Sequence, residues 1–485
     1  MAKSIKRNYV YNLAYQILTL ITPFITTPYV TRILSPNAIG LQSFAFSLSQ
    51  SFALFAGMGM GAYLQREISY AQDDRKKRTQ VFWEVQTLSL ITCSIWTIFY
   101  IMVVMLYIKH DYTLFFILIL NINPLGCILI LFSGMEDFGK MTALHFCFKI
   151  LDVAFIFLFI KQESDLALYV FGSVFFASLT TFIMWFYFHK YVDLPDWKSL
   201  RPFRDIKIMF SLFLPTIAIQ VYSILDKVML GFISEGTAES GYYELALRIS
   251  RMPLMVVASL SSVMIPRIGY LFRLQERELI DAYIYRSFKF AFFASVPLCF
   301  GLMAVSNNFV SWFFGAGYSK VADLLKISSF LLIIIGLSNV SGSQYMIPTG
   351  LENKYTLTVS AGAIVNFTLN IFLIKYFYSY GALVASVFAE FTVLFTQLYF
   401  LRKEFSILKI ISDGFSYLAA GLIMFAALRS FSYKLPLNPL GTAIIIFSGA
   451  LIYFGVLLIL RDEFFISYST RTINFLKRRL KMFIC

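Results

Sequence analysis

The side chains of this sequence that could do chemistry are few, and they sit inside long apolar runs. Lys149 and Asp152 lie three residues apart, so a helix puts them on one face as an ion pair. Asp226 and Lys227 are adjacent and would point in different directions. Arg248 and Arg251 repeat the three-residue spacing, with Glu244 one turn before Arg248. Glu390 stands alone in a late apolar run, and Arg32 follows the first. Two amide pairs, Asn12/Gln16 and Asn366/Asn370, have the i, i+4 spacing of a polar stripe, and Gln42, Gln50, Gln220 and Gln397 join them. Ionisable groups at such depth are expensive and face a partner or a watery cavity. Arginines one turn apart repel, so Arg248 and Arg251 point to an anion or a hydrated path between helices. For Lys149–Asp152 the plainer reading is mutual neutralisation, for Arg32 an interfacial anchor, for Asp226 and Lys227 snorkelling to the outer headgroups. The amides could equally be interhelical hydrogen bonds, worth about 0.6 kcal/mol each.

The elements that must position these groups are transmembrane helices. Of 485 residues, 59% are hydrophobic and 14% charged, well away from the roughly half and quarter of a soluble chain. Fourteen apolar runs of crossing length fall near 9–30, 41–63, 82–107, 114–133, 142–160, 167–188, 208–230, 242–265, 287–306, 325–347, 355–375, 381–401, 414–430 and 439–460. The fold class is therefore an all-α integral membrane protein of about fourteen helices. With the N-terminus inside, segments on the cytoplasmic side hold roughly four times the Lys and Arg of the outward loops, so both termini are expected in the cytoplasm. The net charge of +14 then fits an anionic inner leaflet, and no nucleic-acid partner is expected. The five cysteines and three histidines are scattered, which suggests neither a disulfide framework nor a metal site. There is no phosphate-binding G-x-x-x-x-G-K-[ST] loop, and no cofactor is expected. The longest outward loop, about 307–323, leaves no room for an aqueous catalytic domain, which disfavours an enzyme of glycan assembly.

An internal repeat organises the runs. Gly134-Met135-Glu136-Asp137 after the fourth recurs as Gly350-Leu351-Glu352-Asn353 after the tenth, and Ala38-Ile39-Gly40 pairs with Glu239-Ser240-Gly241. Both matches link a helix to the one six later, a parallel repeat of two six-helix lobes. The expected division is 1–205, 206–412, two further helices over 413–460 and a basic cytoplasmic tail over 461–485, with a substrate path between the lobes. Pro23 and Pro28 in the first run, Pro215 in the seventh and Gly57, Gly59 and Gly61 in the second are places for bending.

Several segments resemble the Wzx-type polysaccharide flippases of the multidrug/oligosaccharidyl-lipid/polysaccharide exporter superfamily. They are Tyr11-Asn12 with Pro23, Thr26-Thr27-Pro28-Tyr29, Arg32 and Ser35-Pro36 to Gly40; Leu225 to Gly231; Gly241 to Glu244; Val263 to Arg267; Trp312 to Gly315; Gln344 to Thr349; and Gly362-Ala363 with Asn366-Phe367 and Asn370. The resemblance runs to about residue 400. It implies a V-shaped pair of six-helix lobes in a bacterial inner membrane, moving an undecaprenyl-diphosphate-linked oligosaccharide to the outer leaflet by alternating access. The glycan would be O-antigen, capsule or exopolysaccharide. On that implication Arg248, Arg251, Arg32, Lys149, Asn12, Gln16, Asn366 and Asn370 are substrate-path candidates. Asp152, Asp226, Lys227, Glu244 and Glu390 are candidates for ion coupling or charge pairing. Membrane lipids and a polysaccharide polymerase complex would be its partners. The alternatives are a same-fold flippase for a peptidoglycan precursor or teichoic-acid unit and, more distantly, a multidrug/cation antiporter, which would want a more acidic cavity.

Overall fold

The computed structural model describes residues 5–108, 110–234 and 236–467, and within them the chain is helical with no strand. Among the described residues, ten helices are long and apolar enough to cross a bilayer. One of them, α14 (Glu352–Leu401), is two helices joined at Tyr378, whose φ of 50° and ψ of −127° leave the helical region. The others are α2 (Pro36–Gly57), α4 (Arg75–Tyr107), α7 (Phe138–Phe159), α8 (Leu166–Trp185), α10 (Ala238–Arg273), α11 (Arg277–Phe313), the α12–α13 run (Ser319–Ser328, Phe330–Asn339), α15 (Ile407–Ser432) and α16 (Pro439–Ile459). Adding α1 (Ile5–Ile33), α9 (Ile206–Ile233) and the pair α5 (His110–Leu118) and α6 (Cys127–Gly134) brings the crossings to the fourteen expected.

Helix ends follow local chemistry. Ser35 caps α2 by accepting from the Ala38 N–H, with Pro36 in the first turn. Asp74, Ser406 and Asn438 do the same for α4, α15 and α16. The glycine cluster of span two marks a break. Helix α2 stops at Gly57, Met58 and Gly59 take positive φ, and α3 (Met60–Tyr70) resumes. A Cβ on Gly59 would lie 2.3 Å from the Met209 carbonyl oxygen, so backbone conformation and space both require glycine there.

Two sequence expectations need correcting. Span four is not one helix over 114–133. Helix α5 ends at Leu118, an irregular segment carries Asn121, Asn123 and Pro124, and α6 begins at Cys127. Proline removes a donor and pushes residue 123 out of the helical region, while the asparagine side chains compete for backbone hydrogen bonds. The outward loop expected at about 307–323 is also shorter, because α11 runs to Phe313 and α12 starts at Ser319.

The chain packs as two compact units, Met1–Gly241 and Tyr242–Cys485. In the first, α1 lies on α7, α7 on α8, and α2 on α4 and α9. In the second, α11 lies on α15, α13 and α16. Among the described residues, an aromatic core with Phe288, Phe292, Tyr417 and Tyr453 buried packs the second unit, and cores around Phe82/Phe132 and Phe44/Tyr100 pack the first. Lipid tails are as apolar as leucine, so these cores hold by close packing and internal hydrogen bonds, such as Tyr100 donating to the Phe116 carbonyl at 2.8 Å.

Candidate functional site

The polar groups foreseen in the spans fall into separate constellations. On α10, Arg248 donates to Glu244 at 3.0 Å, both half-buried, and is thereby largely neutralised. Arg251, three residues on, is exposed and has no carboxylate within ion-pair distance among the described residues. On α7, Lys149 holds Asp152 at 2.9 Å; the carboxylate is buried and its second oxygen, Oδ1, has no hydrogen-bond partner. On α9, Asp226 is buried and Lys227 half-buried. On α14, the Asn370 amide donates to Asn366 at 3.1 Å, both fully buried, and Glu390 is buried in the second half of the same element. Arg32, exposed at the end of α1, donates to the Pro28 carbonyl at 2.7 Å. Asn12 and Gln16 belong to α1, and their side chains, like that of Pro215, lie outside the described residues.

A second set was missed from sequence. The interruption of span four exposes backbone groups at membrane depth, and side chains from three other helices satisfy them. Ser49 Oγ on α2 accepts from the Asn121 N–H at 2.6 Å. Gln86 and Ser89 on α4 donate to the Pro124 carbonyl at 2.9 and 3.2 Å. Trp185 on α8 donates to the Leu125 carbonyl at 3.1 Å, and Asn123 accepts from the Leu125 N–H at 3.1 Å. Non-helical backbone is tolerated in a bilayer only inside protein or beside a water-filled cavity. Here a pocket of about 280 Å³ opens on it. The signal that could have revealed it is Asn121-Ile122-Asn123-Pro124, hidden because the surrounding Ile and Leu keep the window hydropathy high.

At the basic end of the first unit, the Arg75–Arg78 cluster does more than record topology. Arg75 grips Asp193 through two guanidinium nitrogens at 2.8–3.0 Å. Buried Arg78 donates to the carbonyls of Tyr191, Ala71 and Gln72. Tyr63 donates to Asp205 at 2.6 Å, and Arg204 bridges Asp205 and Glu84. The carboxyl of Asp193 is held below its ordinary range by its hydrogen bonds from Arg75. That of Asp205 is held low by the Tyr63 hydroxyl and then by Arg204. Trp83, Trp185 and Trp197 gather beside this network, as aromatic side chains do at a membrane interface.

A family model described as "Polysaccharide biosynthesis protein" matches residues 5–272, more than half of the chain. The chain belongs to that family. Its curated relatives include an Escherichia coli (strain K12) protein described as "Putative O-antigen transporter", 24% identical over 83% of this chain and 97% of the relative. Another, from Haloferax volcanii, is described as a "Probable low-salt glycan biosynthesis flippase"; it is 27% identical over 49% of this chain and 50% of the relative. Among solved structures, a lipid II flippase in an inward closed conformation superposes with a TM-score of 0.74 at 17% identity, covering 94% of this chain and 99% of that one. An inward-facing multidrug resistance transporter of the MATE family, in the MOP superfamily, gives 0.60 at 15% identity over 86% of this chain and 96% of that one. The fold is that of the multi-pass flippases and multidrug exporters.

Proposed function

We propose that this protein carries undecaprenyl-diphosphate-linked oligosaccharide units from the cytoplasmic to the outer leaflet of a bacterial inner membrane, for assembly of a surface polysaccharide. Membership of the polysaccharide-biosynthesis family carries this reading. The lobes would be 1–205 and 206–412, with helices over 413–460 and a basic tail appended and both termini cytoplasmic. A diphosphate headgroup cannot cross hydrocarbon unescorted, and Arg251, set in a long membrane helix without a carboxylate partner among the described residues, supplies a cation for it. Arg248, Arg32, Lys149, Asn12, Gln16, Asn366 and Asn370 complete the proposed path. Asp152, with an unpartnered buried oxygen, and Asp226, Lys227, Glu244 and Glu390 are the proposed groups for ion coupling or charge pairing. The chain acts as a carrier and not as an enzyme, and a polysaccharide polymerase would take over its product.

The fold is shared with drug exporters, but a basic path suits an anionic headgroup better than a cationic drug. Deleting the gene should leave lipid-linked repeat units on the inner leaflet and strip the cell surface of polymer. Unchanged surface polysaccharide with no accumulated precursor would overturn the proposal. Accumulation of a peptidoglycan precursor or teichoic-acid unit instead would keep the flippase and change its cargo.

A further inference from the structure

We propose that the interrupted span four, together with one face each of α2 and α8, forms a subsite that reads the uncharged hydroxyls of the glycan. It rests on the flippase reading above and names which part of the cargo this unit recognises. The pocket is lined by Gln42 and Phe46 from α2, the broken segment 119–123, and Val170, Ser173, Val174, Ala177 and Ser178 from α8. No charged residue is among them, so an anionic headgroup has nothing there to bind. Amides and hydroxyls offer the paired donors and acceptors that match vicinal sugar hydroxyls, and the half-exposed ring of Phe46 offers an apolar face for a pyranose. Among the described residues, the side chains of Gln42, Asn121, Ser173 and Ser178 have no hydrogen-bond partner in the protein, although all four face one pocket. Asn121 and Ser178 are exposed and Gln42 and Ser173 half-buried, so all four are open to water or a ligand in that common space.

Two observations place that space inside the membrane protein and not against lipid. Helix α8 has two unlike faces: Leu168, Phe171, Phe175, Phe182 and Phe186 are bulky and exposed, as a lipid-facing surface should be. The pocket stripe, Val170, Ser173, Val174, Ala177 and Ser178, carries small side chains, two of them serines. Unwound backbone at this depth also requires a hydrated or protein-lined neighbour. The repeat adds a third observation. The register that pairs Gly134 with Gly350 carries Pro124 onto Val340, where a π-helical turn, Val340–Met346, interrupts span ten. Interruptions at equivalent places in two repeats are the pattern by which carriers build binding sites from discontinuous helices. At about 280 Å³ the pocket falls just below the roughly 300–1,000 Å³ of small-molecule sites, room for one sugar and not for a whole repeat unit.

The test uses the full chain in proteoliposomes and two probes that share the undecaprenyl diphosphate. One bears the complete repeat unit extracted from the native host; the other bears no sugar. Gln42→Ala combined with Asn121→Ala removes two sugar contacts, which at about 0.5–1.5 kcal/mol each amounts to roughly tenfold. The complete unit should flip about 10-fold more slowly and the sugar-free lipid less than about 3-fold more slowly, with the melting temperature unchanged. Asn121→Gln should restore part of the loss. Equal slowing of both probes, or of neither, overturns the subsite while leaving the flippase in place. If the unaltered chain moves neither probe, the flippase reading falls and takes the subsite with it.

Discussion

At the scale of single residues, what decides a charge's role is whether its neighbour has already neutralised it. Arg248 and Arg251 look equivalent in sequence, yet Glu244 holds the first at 3.0 Å and no carboxylate holds the second. Arg251→Ala should therefore cost transport more than Arg248→Ala. We expect at least a tenfold loss for the former, equivalent to about 1.4 kcal/mol or more, in a flipping assay with a lipid-linked repeat unit. Equal losses would mean that the ion pair opens during transport. Arg78 acts differently, since its guanidinium serves three backbone carbonyls in a buried setting. Arg78→Ala strands those acceptors and should cost about 2–5 kcal/mol of stability, read as a lowered melting temperature in detergent. Arg78→Lys should rescue little, because an ammonium cannot reproduce the planar fork.

At the scale of elements, the most informative piece is the one hydropathy describes worst. Fourteen crossings were legible because about twenty apolar residues are needed to span lipid, and composition reports that need directly. Glycines at 57, 59 and 61 read as places for bending within a continuous span two, and the chain breaks there at Met58 and Gly59, the two residues with positive φ. Span four was read as continuous because the partners that make its interruption tolerable, Ser49, Gln86, Ser89 and Trp185, lie on three other helices. No local window contains them. For the same reason the pairing of Arg248 with Glu244 was legible as a spacing, whereas the linkage of Arg75 to Asp193 across more than a hundred residues was not. The segment between α8 and α9 is tied down by carboxylates whose titration is depressed, Asp193 by Arg75 and Asp205 by Tyr63 and Arg204. A depressed carboxyl stabilises the fold above its ordinary value near 3.9, and that contribution is lost as pH falls through the lower folded value. Amide exchange in residues 191–205 should therefore accelerate as pH drops from about 5 to about 3, beyond the intrinsic pH effect. Asp193→Asn should remove part of that dependence.

For the whole molecule, the repeat has a mechanical meaning that its sequence matches only hinted at. Ala38-Ile39-Gly40 and Glu239-Ser240-Gly241, paired by the repeat, meet each other in space. A Cβ on Gly40 would lie 1.7 Å from the Thr237 carbonyl oxygen, and one on Gly241 would lie 2.8 Å from the Pro36 carbonyl oxygen. Asn37 joins the two, accepting from the Ala238 N–H at 3.2 Å through its side chain and from the Thr237 hydroxyl at 2.8 Å through its carbonyl. On the proposed topology these are the outward ends of spans two and eight, and the contact ties them together within the first compact unit. We propose that an outward exit would part these two helix ends once per cycle; glycine at both positions lets the backbones approach closely, and the Asn37 hydrogen bonds are the contacts that would have to break. Cysteines replacing Asn37 and Thr237, in a chain whose exposed Cys147 is Ser, should cross-link under mild oxidation and stop transport. Reduction should restore it. A cross-linked protein that still carried cargo would show that this seam never opens, and would move the outward exit elsewhere on the molecule.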